Sequence, residues 1–172
     1  MKNILRSPSL VSVIASVVCL FTSTSARALT VSVAPGGNIQ SAIDQVATAG
    51  GGTVNITAGS GTVSSSLRMK SNVTLNGAGN PTTTLNAGGD FQVIQENSDN
   101  LSNVTIQNLK VNGRGRTGST NCQGVYIESL STSHNQNIKV SNVQSLNFGG
   151  MGCHLKRADN SSVIGCNFHD NG

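Results

Sequence analysis

Short stretches in which apolar and polar residues alternate recur along the chain at similar intervals. Four of them begin at Val73, Val104, Ile138 and Val163, and the intervals between these starts are 31, 34 and 25 residues. Alternation with a period of two predicts a strand with one apolar face. A single strand cannot bury that face, but a stack of copies can. The pattern therefore predicts a repeat protein built from stacked coils.

Asparagine recurs at one position of these coils, four residues after the start, as Asn108, Asn142 and Asn167. Asparagine tolerates a left-handed backbone, and its amide both donates and accepts hydrogen bonds. We expect these residues to form an inward-pointing ladder of amides along the stack.

A second strand recurs in the same coils. The segment GVYI at 124–127 matches GCHL at 152–155, and DFQVI at 90–94 is an earlier copy. Glycine-rich turns separate the strands, and the segment 112–121 is predicted as the largest loop. These features predict an all-β chain that forms a single-stranded right-handed parallel β-helix. A β-sandwich would require two-residue hairpin turns, and such turns are scarce here.

One helix is predicted before the first coils. Apolar residues recur at helical spacing, and glycines at 50–52 end the pattern; the apolar positions are Ile39, Ala42, Ile43, Val46 and Ala47. We expect this helix to cap the N-terminal end of the stack, which would otherwise expose apolar side chains and unpaired strand edges.

The first 28 residues have the pattern of a secretory signal. Lys2 and Arg6 precede an apolar segment at 10–21, and small residues lead to a predicted cleavage after Ala28. The sequence thus predicts a signal peptide at 1–28, a β-helix domain at 29–172, and a secreted or periplasmic protein. If the signal is cleaved, we expect no membrane span in the mature chain. A retained N-terminal membrane anchor is the alternative.

Removal of the signal changes the charge and the cysteine count. Eight basic residues then face seven acidic ones, so a nucleic-acid partner is not expected. Three cysteines remain, of which two could form a disulfide: Cys122, Cys153 and Cys166. Zinc binding by Cys153 and Cys166 with their neighbouring histidines matches no established ligand spacing, and buried thiols are the alternative. No metal ligand is assigned.

The segments IQSAID, GGGTV and SNVTLNGAG resemble the cap and first coil of the pectin-lyase-like superfamily. The resemblance covers the chain from about Val31 onward. It implies the parallel β-helix fold. Its members mostly act on polysaccharides, often uronic-acid polymers such as pectate and alginate, and a minority are adhesins or surface proteins.

The region from 140 to 172 is similar in layout to the catalytic coil of the mannuronan C-5 epimerases. Gly150, Gly152 and the turn at 169–172 match the pattern of that family. Met151 stands at an aromatic position, and residues 154–157 (HLKR) stand where the family has Asp-Pro-His-Glu. The epimerase activity is therefore not carried over. The aspartate pairs of the polygalacturonases are not visible either.

A cluster of polar residues is predicted on the outside of the second strand. If Cys153 and Leu155 point inward, their neighbours point outward. The matched positions lie 28 residues apart, which should place Tyr126 beside His154, and Glu128 beside Lys156. Cross-strand ion pairing and ordinary packing would explain the same four residues without any chemistry.

The resemblance implies an acidic glycan as the partner, and β-elimination by a polysaccharide lyase is the reaction we expect. Such a reaction needs a cation for the sugar carboxylate, a base and an acid. Arg157 is the candidate clamp, His154 or Lys156 the base, and Tyr126 the acid. Candidate substrate-binding residues are Glu128, Arg114 and Arg116.

Several alternatives stay open. A glycoside hydrolase, an epimerase-like enzyme, or a non-catalytic surface or adhesion scaffold would fit the same fold. Asp159 and Asp170 are candidate calcium ligands or turn residues. The chain stops one turn after a strand, so we expect a β-helix truncated at its C-terminus.

Overall fold

The structure is a computed structural model that describes residues 28–98, 100–116 and 119–172. The predicted signal peptide lies outside the described residues up to position 27. Ala28 is exposed, and the first strand begins at Leu29.

The described residues form one helix and fourteen strands. The strands are β1 (Leu29–Val33), β2 (Gly52–Ile56), β3 (Gly59–Val63), β4 (Leu67–Met69), β5 (Val73–Gly77), β6 (Thr83–Ala87), β7 (Gln92–Glu96), β8 (Ser102–Arg116), β9 (Gln123–Glu128), β10 (Asn135–Phe148), β11 (Cys153–Lys156), β12 (Ala158–Asp159), β13 (Ser162–Ile164) and β14 (Asn167–His169). The helix, α1, spans Ile39–Thr48 and lies between β1 and β2.

These strands stack as parallel ladders on three faces. The first face contains β1, β2, β5, the first halves of β8 and β10, and then β12 and β13. The second face contains β3, β6, the second halves of β8 and β10, and β14. Because β8 and β10 continue around the corner, these two faces form one bent sheet. The third face is a separate sheet of β4, β7, β9 and β11. The prediction of a parallel β-helix is confirmed.

The core is made of aliphatic side chains stacked from coil to coil. Val54, Leu75, Ile106 and Val140 are partners in successive strands of the first face, and all four are fully buried. Adjacent strands lie about 4.8 Å apart, so each side chain packs directly on the next. Burial of one such side chain stabilises the fold by roughly 1.5–3 kcal/mol.

Helix α1 packs on the first coil, as the apolar pattern predicts. Four of its residues are buried, and Ala47 is partly buried against the core: Ile39, Ala42, Ile43 and Val46. The side chain of Asn38 caps the helix by accepting a hydrogen bond from the amide of Ser41 (3.2 Å). After the helix, Gly51 and Gly52 adopt positive φ angles of 125° and 146°, which side chains rarely allow.

The asparagine ladder exists, but the prediction that it points inward is wrong. Asn142 donates to Asn108 (3.0 Å), and Asn108 donates to Asn76 (2.9 Å). Asn108 is half-buried and Asn142 is exposed. Both have left-handed φ angles, 59° and 51°, and they occupy corners where the chain turns between the first two faces. The left-handed backbone turns the amide away from the core. Two further rows of the same kind are formed by Asn72, Asn103 and Asn137, and by Asn86, Asn112 and Asn147.

Two details of the predicted repeat are wrong. Val163 pairs with Val140, not with Ile138, so the last repeat is displaced by two residues. Asn167 accordingly pairs with Gln144 and does not extend the asparagine row. The segment predicted as a loop from 112 also begins as strand, because β8 continues to Arg116 with a register shift opposite Leu146 and Phe148. In the last described coil, Val163 and Phe168 are 45% and 38% exposed.

Candidate active site

The outer surface of the third face carries one continuous row of polar side chains. Arg68, Gln95, Tyr126 and His154 are partners in successive strands β4, β7, β9 and β11. Glu128 and Lys156 are partners two residues further on. The predicted pairing of Tyr126 with His154 and of Glu128 with Lys156 is therefore confirmed, as is the assignment of β7 as an earlier copy of β9.

Tyr126 and His154 form a stacked pair of rings. Their centroids are 4.6 Å apart and their planes differ by 10°. Nδ1 of His154 lies 3.3 Å from Sδ of Met151. The Nε2 atom is buried, has no hydrogen-bond partner, and lies 3.7 Å from Oε2 of Glu128. The ring of His154 is thus held in place by packing. Its Nε2 atom makes no hydrogen bond and is available for proton transfer.

Glu128 is the centre of the cluster, and its side chain is only 8% exposed. Oε2 accepts a hydrogen bond from the Tyr126 hydroxyl, and Oε1 accepts one from Nζ of Lys156. These two donors hold the pKa of the Glu128 carboxyl below its usual range, the lysine having the larger effect. Its backbone amide donates to the carboxylate of Glu96 (3.1 Å). The charge on this buried group is therefore compensated by Lys156.

The same contact has the opposite effect on tyrosine. The hydrogen bond to Glu128 raises the pKa of Tyr126 to about 12, with smaller contributions from burial and from the negative charges of Glu128 and Glu96. Tyr126 therefore keeps its proton at neutral pH. A protonated phenol can act as an acid or as a hydrogen-bond donor, but not as a base.

Lys156 presents the accessible positive charge of the cluster, since its side chain is 52% exposed. Its ammonium group has three N–H donors, and the contact with Glu128 uses one of them, so Lys156 is suited to hold an anion. Of the predicted bases, His154 has the stronger chemical case. A substrate would reach its Nε2 only after the ring or Glu128 moves.

Arg157 lies beside the cluster and is engaged with the backbone. Its φ angle is 51°, and Nη1 donates to the carbonyl oxygens of Ser129 and Ser131 at 3.1 and 3.2 Å. These bonds fasten the segment between β9 and β10. His134, at the end of that segment, contacts both oxygens of Asp159 (2.9 and 3.1 Å).

The other predicted binding residues lie elsewhere. Arg114 is near the end of β8, away from the cluster, and its backbone amide donates a hydrogen bond to Oδ1 of Asn112 (3.0 Å). The backbone of Arg116 pairs with Phe148 in the bent sheet, and its side chain is outside the described part of the structure.

Sequence reasoning missed the N-terminal end of this face. A cavity of about 540 Å³ lies between α1 and the third face, and its lining includes Arg68, Lys70, Phe91 and Asn97. A second cavity of about 230 Å³ shares Arg68 and Asn97 and extends to Glu96 and Leu130. The only signal in the sequence is the short alternation of Leu67 and Met69 with Arg68 and Lys70, which places Arg68 on the outer surface of β4 and Lys70 directly after it.

No disulfide joins the cysteines of the described residues. Burial raises the pKa of the Cys153 thiol to about 12, with a smaller contribution from Cys166, so this thiol is unreactive at neutral pH. Among the described residues, no group of three or more His, Cys, Asp or Glu side chains forms a metal site. Asp159 bonds to His134 and Gln136, and Asp170 contacts Nδ1 of His169 (2.7 Å).

Across the residues that the structure describes, no helix is long and apolar enough to cross a membrane.

The chain has the right-handed parallel β-helix fold of the pectin-lyase-like superfamily. Its structure is similar to the A-module of the Azotobacter vinelandii mannuronan C-5 epimerase AlgE6, with a TM-score of 0.66 and 24% identity over 78% of this chain and 39% of that one. The AlgE4 A-module of the same organism gives a TM-score of 0.64 and 25% identity over 78% of this chain and 40% of that one. ORF18 of Geobacillus virus E2 gives 0.51 and 18% identity over 82% of this chain and 37% of that one.

The chain thus spans about two fifths of the length of these structures. No protein-family model matches the sequence, and no curated protein matches it.

Proposed function

We propose that this chain acts on an acidic, uronic-acid polysaccharide by removing the proton next to the sugar carboxylate. The observation that carries the proposal is the cluster of Tyr126, Glu128, His154 and Lys156 on the outer surface of the third face. It combines an accessible cation, a histidine and a protonated phenol within one contact network. The likeness in fold to two mannuronan C-5 epimerase modules supports this class of substrate.

Each residue has a separate role in the proposed reaction. Lys156 binds the sugar carboxylate, which makes the neighbouring C–H bond more acidic. His154 removes that proton through Nε2 after a small movement of the ring. The electron pair forms a double bond as the glycosidic C–O bond breaks, and the leaving oxygen takes a proton from Tyr126. Glu128 orients Lys156 and Tyr126 through its two oxygens.

β-Elimination is the reaction we propose, and epimerisation is the second candidate. The two begin with the same proton removal and differ afterwards. In epimerisation, the proton returns to carbon from the opposite side and no bond in the chain breaks. The structural likeness to epimerase modules is the specific observation that favours this second route.

The test is to incubate the protein with pectate, pectin and alginate, with and without calcium. Ultraviolet absorbance detects the unsaturated product of elimination, and deuterium uptake from heavy water detects proton exchange without cleavage. Removing a group that acts in the transition state typically lowers the rate by 10²–10⁴-fold, so we expect roughly that loss in Lys156→Met and His154→Gln. Lys139→Met is the matched control, because Lys139 is an exposed lysine on the first face.

If the folded protein produced no increase in ultraviolet absorbance and no deuterium uptake, this result would contradict the proposal and favour a non-catalytic scaffold. Equal activity in the Lys156 and Lys139 variants would contradict the assignment of the site.

The proposal includes export from the cytoplasm, on the basis of the signal pattern at 1–28. We expect the mature protein in the medium or the periplasm to begin at Leu29. Intact-mass measurement of the exported protein tests this, and a retained full-length chain in the membrane fraction would contradict it.

A further inference from the structure

We propose that the 540 Å³ cavity between α1 and the third face is a second binding subsite for the same polysaccharide, with Arg68 holding the carboxylate of a uronate residue. The inference rests on the proposed function for its substrate class. It assigns a role to residues that are remote from the cluster of Tyr126, Glu128, His154 and Lys156.

The two cations of the cavity are in different electrostatic situations. Nζ of Lys70 is 2.8 Å from Oδ1 of Asp44, and both side chains line the cavity, so their charges cancel there. Arg68, in contrast, is exposed and held by a neutral group. With its amide oxygen turned toward the guanidinium, Gln95 accepts hydrogen bonds from Nη1 and Nη2 of Arg68 at 3.2 and 3.3 Å. The cavity therefore has a net positive charge that is concentrated on Arg68.

A guanidinium group is well matched to a carboxylate. It offers five donors in a planar fork, and two of them can bind both oxygens of one carboxylate. Gln95 accepts only two hydrogen bonds from the guanidinium group, so other N–H donors of Arg68 remain for an anion. Because the partner of Arg68 is neutral, a bound carboxylate would not have to displace an internal ion pair.

The rest of the lining suits a sugar ring. Phe91 is half-buried against the core and presents an aromatic surface to the cavity. Ser64, Ser65 and Ser66 line the same cavity with Asn97, and they offer hydroxyl and amide groups for sugar hydroxyls. The lining is thus mostly polar, with one aromatic side chain, which suits a ligand as rich in hydroxyl groups as a sugar. The volume lies in the usual range of small-molecule sites, roughly 300–1,000 Å³.

The cavity is also fixed before any ligand binds. Gln40 of α1 accepts a hydrogen bond from the amide of Arg68 (2.7 Å) and donates to the carbonyl of Arg68 (3.2 Å) and to Asp44 (2.9 Å). The helix is therefore tied directly to β4. A rigid site loses less conformational freedom on binding.

The position of Arg68 gives the proposal its sharpest consequence. Arg68 and His154 lie at the two ends of the same row, three strand spacings apart. At about 4.8 Å per spacing this is roughly 14 Å. One sugar residue cannot span that distance, so only an oligosaccharide can contact both sites. Arg68 should therefore matter for long substrates and not for short ones.

The experiment measures the affinity of purified oligogalacturonates and oligomannuronates, from the dimer to the decamer, by calorimetry and without turnover. A hydrogen-bonded charge pair contributes about 1.5–3 kcal/mol, so Arg68→Ala should weaken the longest oligomers by roughly 10- to 100-fold and leave the dimer unchanged. Arg68→Lys keeps the charge but loses the fork and should recover only part of the affinity. Lys139→Ala, which removes a cation from another face, should bind every oligomer as the unmodified protein does.

The outcomes separate this proposal from the proposed function. If the absorbance or deuterium assay shows turnover, but Arg68→Ala lowers the affinity equally at every oligomer length or not at all, only the subsite is overturned. Binding that depends on Arg68 and on oligomer length, without any turnover, would support the subsite and contradict the proposed reaction. No binding of any oligomer by the folded protein would overturn the subsite.

Discussion

Replacing Glu128 with glutamine should lower the pKa of Tyr126. In the structure, the Tyr126 hydroxyl donates to a buried carboxylate, so loss of the phenol proton would place two negative charges in contact. The Glu128→Gln side chain has almost the same shape and can still accept a hydrogen bond, but it carries no charge. The change therefore isolates the electrostatic part of the contact.

The size of the effect follows from the pKa. The pKa of Tyr126 is raised from 10.0 to about 12, and the hydrogen bond to Glu128 is the main cause. Two pKa units correspond to at most about 3 kcal/mol of preference for the protonated phenol, because the phenol is partly exposed and solvent screens the contact. Burial and the charge of Glu96 persist in the variant, so its pKa should fall most of the way toward 10.0 without reaching it.

The sign for stability follows from the same shift. A folded-state pKa above the unfolded value stabilises the fold fully at pH values below the unfolded pKa. This contribution should disappear between pH 10.0 and about 12 in the unmodified protein. In Glu128→Gln, the alkaline loss should be smaller and should occur at a lower pH.

The chain is well suited to the assay, because it contains one tyrosine and no tryptophan. Phenolate absorbance during an alkaline titration therefore reports only Tyr126, and circular dichroism at each pH shows whether the protein is still folded. Tyr126→Phe is the control and should show no titration. A folded, unmodified protein that titrates near 10.0, or a variant with the same pKa as its parent, would refute the reasoning.

Two further predictions concern stability. The lowered pKa of Glu128 stabilises the fold at pH values above the unfolded pKa of 4.5, so the urea midpoint should fall as the pH drops below that value. Lys156→Met should weaken this pH dependence, and the same pH dependence in both proteins would contradict the pairing. Asn108→Ala removes two amide contacts and places alanine at a φ of 59°, which should cost about 2–3 kcal/mol in urea unfolding. Asn108→Gly accepts that backbone and should cost less; the reverse order would show that the left-handed corner is unimportant.

The third face could be predicted from the sequence because its pattern is unambiguous. In GVYI and GCHL, a glycine precedes two apolar residues that are separated by one polar residue, so only one alignment places both apolar residues inward. That alignment gives the observed partners Tyr126 with His154 and Glu128 with Lys156. The hydrogen bonds that Glu128 accepts could not be read from the pattern, since they depend on side-chain conformation.

The last repeat was misaligned for a physical reason. A shift of one residue would exchange the inner and outer surfaces of a strand, but a shift of two residues preserves them. Val163 therefore fits opposite Ile138 as well as opposite Val140 when only polarity is considered. The expectation that the asparagine amides point inward also failed for a physical reason. Strand alternation does not apply to a residue with a left-handed φ.

Strand β4 shows the limit set by length. It has three residues, Leu67–Met69, and this is too short for alternation to stand out from its surroundings. The cations Arg68 and Lys70 gain their meaning only when the sheet aligns them with β7 and α1.

The asparagine rows also bear on how such a molecule can be redesigned. Asn72 and Asn103 are 31 residues apart, Asn103 and Asn137 are 34 apart, and both pairs meet at 2.9 Å. Coils of unequal length are thus held in line by their corners, while the extra residues are accommodated in the connecting segments. Segments that border the third face, such as 129–134, could therefore be lengthened, shortened or exchanged to reshape the outer surface of that face while the asparagine rows keep the coils aligned. A scaffold of this kind separates the evolution of specificity from the maintenance of the fold.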